Sequence, residues 1–242
     1  MNHTQNNKKG QLNLPASKLP SPKEKSEDFR TSLHWRVFRI LSEFIEGWQF
    51  LADFKKTVSF FGSARFVEGD KWYEEARKLG KMLAEAGFAI VTGGGPGIME
   101  AGNRGAVEGG GKSIGLNIQL PSGERRNPFV QERTSFHYFF VRKVMLSFAA
   151  RAYVFFPGGY GTLDEVFELI TLIQTKKISD KIPLVLIGKE FWIPIDQWLK
   201  EELFAKHKAI DEKDLEIYKI VDSAEEAFEL IKDVPPREDW FY

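Results

Sequence analysis

This chain of 242 residues predicts an α/β fold: a doubly wound parallel sheet with helices on both faces, preceded by an N-terminal helical extension. Three observations carry that prediction. Short apolar runs alternate with segments of three- and four-residue apolar spacing, the signature of βαβ units. Three of the runs end in glycine-rich turns, Gly62-Ser63-Ala64-Arg65, Gly93-Gly94-Gly95-Pro96-Gly97 and Pro157-Gly158-Gly159-Tyr160-Gly161. Ligands of open α/β sheets bind beyond the carboxyl ends of the strands, where such turns lie. Hydrophobic residues make up 43% of the chain, ample for a core on both faces.

The elements follow in order. Residues 1–25 are polar, with Pro15, Pro20, Pro22 and several lysines, and read as a disordered tail. Between 26 and 54, Phe29, Leu33, Val37, Ile40, Leu41, Phe44, Trp48 and Leu51 recur at helical spacing. That amphipathic helix can pack on the rest of the chain or on a second subunit. The main domain is expected over 55–235, with 236–242 as a C-terminal tail. Within it, 57–61 reads as a strand and 72–86 as a helix stopped by Gly87. A strand over 88–91, a helix over 98–108 and a strand over 113–118 come next. A loop with Pro121 and Pro128 leads to a helix over 141–150 and a strand over 152–156. A helix from 163 to 174, a strand over 183–187, a helix over 191–205, a strand over 215–221 and a helix over 224–231 complete the domain.

Bulk composition excludes several function classes. Lysine plus arginine (34) equals aspartate plus glutamate (34), so no single-sign field points to nucleic acid or an acidic membrane. The absence of cysteine removes disulfide and thiolate chemistry and fits a reducing cytoplasm, the expected location. His3, His34, His137 and His207 are scattered without metal-ligand spacing, so no metal is expected. No apolar run is long enough for a spanning helix, and the N-terminus lacks a signal-peptide core.

The most informative stretch is Pro157-Gly158-Gly159-Tyr160-Gly161-Thr162-Leu163-Asp164-Glu165, after the apolar run Ala152-Tyr153-Val154-Phe155-Phe156. A strand ending in a glycine-rich turn that opens a helix grips phosphate, because bare backbone N–H groups approach the anion and the helix dipole favours it. Glu165 is expected in the first helical turn, a carboxylate beside the anion that the helix dipole keeps ionised. Thr162-x-x-Glu165 also reads as a capping box, which needs no function. Three glycines and a proline before it exceed what a cap requires, and the two readings are compatible.

These nine residues resemble the PGGxGTxxE motif of the LOG ("lonely guy") family of phosphoribohydrolases, long labelled lysine decarboxylases. The family's Arg-Lys pair is matched by Arg142-Lys143, and the resemblance runs from about residue 57 to about 187. It implies a Rossmann-like nucleotide-binding fold that hydrolyses the N-glycosidic bond of nucleoside 5′-monophosphates, AMP or an N6-modified AMP such as a cytokinin riboside monophosphate. Phe139-Phe140-Val141 stands where short members carry Met-His, and the N-terminal extension is long; both imply a longer bacterial-type branch. The resemblance assigns catalysis to Arg142 and Glu165 and substrate contact to Lys143. It also suggests homodimers or larger homo-oligomers.

Other motifs in the chain carry weaker signals. Gly93-Gly94-Gly95-Pro96-Gly97 fails the dinucleotide pattern in both registers, and the third strand ends near Asn117 and Gln119 instead of an acid. A second nucleotide-contacting loop through Gly94 and Gly95 is the better reading. Gly111-Lys112-Ser113 lacks the first Walker glycine, since Ala106 stands there. Gly62 and Ser63 either contact nucleotide or form an ordinary β–α turn. Arg142, among apolar neighbours, needs a partner, and a structural ion pair satisfies it as well as catalysis does. Glu124 lies in a loop where the family places a substrate-contacting acid; a solvated carboxylate is the alternative. The aromatic residues Phe136, Tyr138, Phe139 and Phe140 serve either as pocket wall or as core.

The expected mechanism follows from the bond to be broken. Positive charge builds on the ribose as the base departs, so a carboxylate should face it and orient water while the 5′-phosphate is held. Glu165 takes the first task, Pro157, Gly158, Gly159, Tyr160, Gly161 and Thr162 the second, and Arg142 positions Glu165 or the ribose. Neither metal nor organic cofactor is called for. A pyridoxal-dependent decarboxylase would need a distinctive lysine, and none stands out. The rival reading is a non-catalytic carrier or sensor of a phosphorylated nucleotide-like cofactor such as the molybdenum cofactor.

Overall fold

The computed structural model describes residues 32–119 and 126–238. The chain divides into two units, Met1–Phe38 and Arg39–Tyr242. Of the first, the described residues open helix α1 (Leu33–Ala52), whose start is fastened by the Trp35 N–H donating to Ser32 Oγ at 3.3 Å.

The second unit is a seven-stranded, fully parallel sheet. In chain order its elements are β1 (Thr57–Phe61), α2 (Lys71–Glu85), β2 (Ala89–Thr92), α3 (Ile98–Glu108), β3 (Ser113–Ile118) and β4 (Glu132–Phe136). They continue as α4 (Phe139–Phe148), β5 (Ala152–Phe155), α5 (Tyr160–Gln174), β6 (Leu184–Ile187), α6 (Lys189–Trp198), β7 (Lys219–Val221) and α7 (Ala224–Ile231). The strand order β4-β3-β2-β1-β5-β6-β7 runs outward from β1 in one direction, then restarts from β1 in the other with β5. The crevice between β1 and β5 is therefore the topological switch point, the position where such sheets take ligands.

Strand alternation sorts the core into two layers. Val58, Phe60, Ala152, Val154, Phe156, Val185 and Ile187 face α2, α3 and α7. Phe61, Val91, Tyr153, Phe155, Leu184 and Leu186 face the layer that includes α4, α5 and α6, joined there by Leu51 from α1. β1, β2, β3, β5 and β6 thus bury both of their faces, which is why the central runs are nearly continuous in apolar residues.

Four elements depart from the sequence expectation. β4 lies inside the stretch expected to be a loop. Its residues Glu132-Arg133-Thr134-Ser135 are polar and only Phe136 is buried, as suits an edge strand with one neighbour, so hydropathy gives no signal. The segment 191–205 splits into α6, which contains Pro194, and a π-helical turn over Leu199–Lys206. The stretch 215–221 gives a 3₁₀ helix (Glu212–Glu216) and then the short β7. Helix α5 starts at Tyr160 with Gly159 as its N-cap, three residues earlier than expected.

Candidate active site

The turns after β1 and β5 are locked to each other. Phe156 donates its N–H to the Phe61 carbonyl at 2.9 Å, and Ser63 donates to the Pro157 carbonyl at 3.0 Å. A cavity of about 760 Å³ opens above them, within the range of small-molecule sites.

One wall is the Pro157–Thr162 turn, all six residues of which line the cavity. Gly158 is needed for close approach, because a β-carbon there would lie 2.1 Å from Thr162 Oγ1. At Gly159 and Gly161 a β-carbon would meet no protein atom within 4 Å, so open space lies against the backbone. No side chain caps the start of α5. An uncapped helix start behind bare glycines offers N–H donors and a favourable dipole to an anion.

Glu165 is buried on the inner side of α5, and its Oε2 has no hydrogen-bond partner. It stands in the second turn of the helix, and Thr162 is the third helical residue, not the cap. The capping-box reading therefore fails. Burial pushes the Glu165 carboxyl up to about 7; Lys143 and Arg142 oppose the rise, and Glu168 and Asp164 add to it. The expectation that the helix dipole keeps this group fully ionised is overturned, because removal from water outweighs a dipole one turn away.

Arg142 enters from α4 and is half-buried. Its Nε donates to the Leu116 carbonyl at 2.7 Å, and the guanidinium lies 6.0 Å from the Phe139 ring centroid. Burial lowers its pKa, while the Glu165 charge opposes that. Both residues line the cavity, and neither forms an ion pair with the other at 4 Å or less. The structural ion pair weighed for Arg142 is thus replaced by a backbone carbonyl.

The remaining expected site residues divide. Gly62 and Ser63 line the cavity, although Ser63 spends its N–H on Pro157 and accepts the Ile98 N–H on its carbonyl. Gly93 is the member of the second glycine loop on the wall; Gly94 and Gly95 are not. Gly94 instead donates to Thr92 Oγ1 and accepts from the Asn127 N–H, and the Gly95 carbonyl accepts from Asn127 Nδ2. Lys143 does not line the cavity; it bridges α4 to α5, 2.5 Å from Asp164 and 3.5 Å from Glu168. Glu124 lies outside the described residues.

The wall also holds residues that sequence reading did not single out as site residues. Arg65, Met99 and Phe191 line it, as does Phe139, left between wall and core. Phe136 is core and fully buried, while Phe140 is half-exposed and off the wall. Arg65 is an exposed cation with no ion pair among the described residues, and its position four residues past β1, in a strand-end turn, was the available signal.

No helix among the described residues is long and apolar enough to cross a membrane, and no cluster of metal-binding side chains occurs among them.

Known proteins resemble this chain in sequence and in fold. A cytokinin riboside 5′-monophosphate phosphoribohydrolase, LOG, from Oryza sativa is 33% identical over 126 residues, 50% of this chain and 50% of that protein. A pyrimidine/purine nucleotide 5′-monophosphate nucleosidase from Escherichia coli is 30% identical over 174 residues, 67% of this chain but 38% of that protein. The match thus spans half or less of either enzyme. The molybdenum cofactor binding protein of Rippkaea orientalis shares the fold, with a TM-score of 0.55 at 22% identity over 74% of this chain and 97% of that one. The family model described as "Possible lysine decarboxylase" matches residues 99–231, more than half of the sequence, and the chain belongs to that family, the LOG family.

Proposed function

We propose that this protein hydrolyses the N-glycosidic bond of nucleoside 5′-monophosphates, AMP or N6-modified AMP, to the free base and ribose 5-phosphate. The observation that carries the reading is the buried, unpartnered Glu165 oxygen in a cavity whose adjoining wall is an uncapped, glycine-lined helix start. An anion site beside a carboxylate is what this reaction demands.

The 5′-phosphate sits on the Pro157–Thr162 turn, with the Thr162 hydroxyl and Arg65 available to its oxygens. That remote grip positions the ribose. As the C1′–N bond lengthens, its electron pair leaves with the base and the sugar becomes cationic. Ionised Glu165 faces that cation and takes a proton from the attacking water, whose oxygen bonds to C1′; the departing nitrogen takes up a proton from solvent, and Glu165 returns its own to solvent. A carboxyl poised near 7 is matched to accepting a proton at neutral pH. Arg142, fixed by Leu116, orients the ribose hydroxyls or Glu165. Gly62 and Ser63 shape the floor. The placements of Lys143, Gly94 and Gly95 support roles in holding the walls in position. No step calls for a cofactor.

The activities of the Oryza sativa and Escherichia coli relatives support the same reaction class. Incubation with a panel of nucleoside monophosphates should release ribose 5-phosphate. Nucleotides that bind but persist intact through long incubation would establish a carrier or sensor instead.

A further inference from the structure

We infer that Glu43, on α1 and outside the segment matched by the family model, is a positioning residue that sets α4 and, through it, Arg142. The inference rests on the proposed role of Arg142. Residues leading into a helix need acceptors for their N–H groups, and no side chain of α4's own cap supplies one. Glu43 supplies two from far away in sequence. Its Oε1 accepts the His137 N–H and its Oε2 the Tyr138 N–H, both at 3.1 Å. A carboxylate at a helix start is favoured by the dipole, and the two bonds offset the cost of burying it.

Packing fixes the spacing between the same two helices. A β-carbon on Gly47, one turn beyond Glu43, would lie 2.7 Å from Met145 Sδ and 3.0 Å from the Phe136 ring. Leu51 is fully buried in the core layer that holds Val141 and Met145. Arg142 then follows directly, since its N–H donates to the Tyr138 carbonyl at 3.2 Å. Phe139, next to Tyr138, is on the cavity wall with Arg142. A shift in the first turn of α4 therefore moves two wall residues at once, and it shifts the guanidinium relative to the Leu116 carbonyl and Gly93 that flank it. The N-terminal helix is thus a brace for the site as well as a surface.

The test combines hydrogen exchange with kinetics on Glu43→Ala and Glu43→Gln. Glu43→Ala should speed amide exchange across 137–142 and lower kcat by about tenfold or more, with KM little changed. Glu43→Gln, which keeps one acceptor oxygen, should fall between it and wild type, and it decides the matter if the alanine variant fails to fold. In an Arg142→Lys background, Glu43→Ala should add little further loss, because both changes act through one side chain. Unchanged exchange, unchanged kcat despite faster exchange, or losses that multiply in the double variant would each overturn the inference. Exchange needs no substrate. A wild-type protein that hydrolyses no nucleotide defeats the functional reading alone, and exchange then decides the brace.

Discussion

A β-carbon on Gly93 would lie 2.2 Å from Nη2 of Arg142. The guanidinium occupies the space that a side chain at the end of β2 would take, so the cavity-facing glycine of this loop exists to seat a cation. Its neighbour Gly94 answers to a different constraint, a backbone φ of +70° with Asn117 pressed against it.

The two glycines should therefore fail differently. Gly93→Ala carries no positive-φ strain, and the clashing atoms are ends of flexible side chains, Arg142 and Met99, which can swing aside. It should keep its melting temperature within a few degrees and lose roughly 10²-fold in kcat as Arg142 is displaced. Gly94→Ala should lower the melting temperature, because strain and overpacking act on the fold itself. Thermal melts beside kinetics separate them, and a Gly93→Ala enzyme with wild-type kcat would remove Arg142 from the mechanism.

Much of this fold was legible in the sequence, because buried parallel strands are continuous apolar runs. The expected bounds of β1 and β3 coincide with the structure. β4 was not legible, because an edge strand of Glu, Arg, Thr and Ser carries no burial signal. The cavity's phosphate-like turn was readable from its glycines. The seat of Arg142, the distant cap from Glu43 and the entry of Phe191 were not, since each joins residues far apart in sequence. The ionisation state of Glu165 was misread for a related reason, as burial is a property of packing that local helix position does not report.

Stability should carry the mark of that ionisation state. The folded protein holds the Glu165 proton up to about 7, whereas the unfolded chain releases it near 4.5. Between those values the native state binds more protons, so stability falls as pH rises through the window, by on the order of 3 kcal/mol in total. Glu165→Gln removes this dependence. The melting temperature of the variant relative to wild type should climb from pH 4.5 to pH 7 and then level off; a constant difference would mean that Glu165 ionises normally.

The phosphate grip predicts a strict substrate requirement. Gly159 and Gly161 leave their backbone open, and no side chain caps α5. AMP should be hydrolysed at least about 10²-fold faster than adenosine at equal concentration, since binding energy at the phosphate positions the sugar. Equal rates would show that the turn contributes nothing.

Assembly is the next expectation. Leu41, Ile45 and Trp48 on α1 are each about half-exposed, and so are Phe139 and Phe140 on α4. Apolar residues concentrated this way on two helices favour a homo-oligomer of at least a dimer. Light scattering at micromolar concentration should give a multiple of the 27.7 kDa chain mass, and removing residues 1–25 should change neither assembly nor folding. A monomer would count against it.

Glu165→Gln should abolish turnover while sparing substrate binding. The amide matches the carboxylate in size, so the cavity keeps its shape, and the phosphate turn of Pro157–Thr162 is untouched. What disappears is the negative charge beside the developing ribose cation, and with it the acceptor for the water proton. An interaction used mainly in the transition state lowers kcat and leaves ground-state affinity nearly unchanged. Loss of a well-placed electrostatic stabiliser costs on the order of 10²–10³ in kcat, and loss of a general base adds to that. Glu165 is not a helix cap, so the alternative is a buried carboxylate kept for packing. In that case the variant would retain activity within about threefold of wild type, as uniform effects on binding and chemistry predict. Measuring kcat and nucleotide affinity on one preparation separates the two. Retained turnover would leave the cavity without its catalytic group.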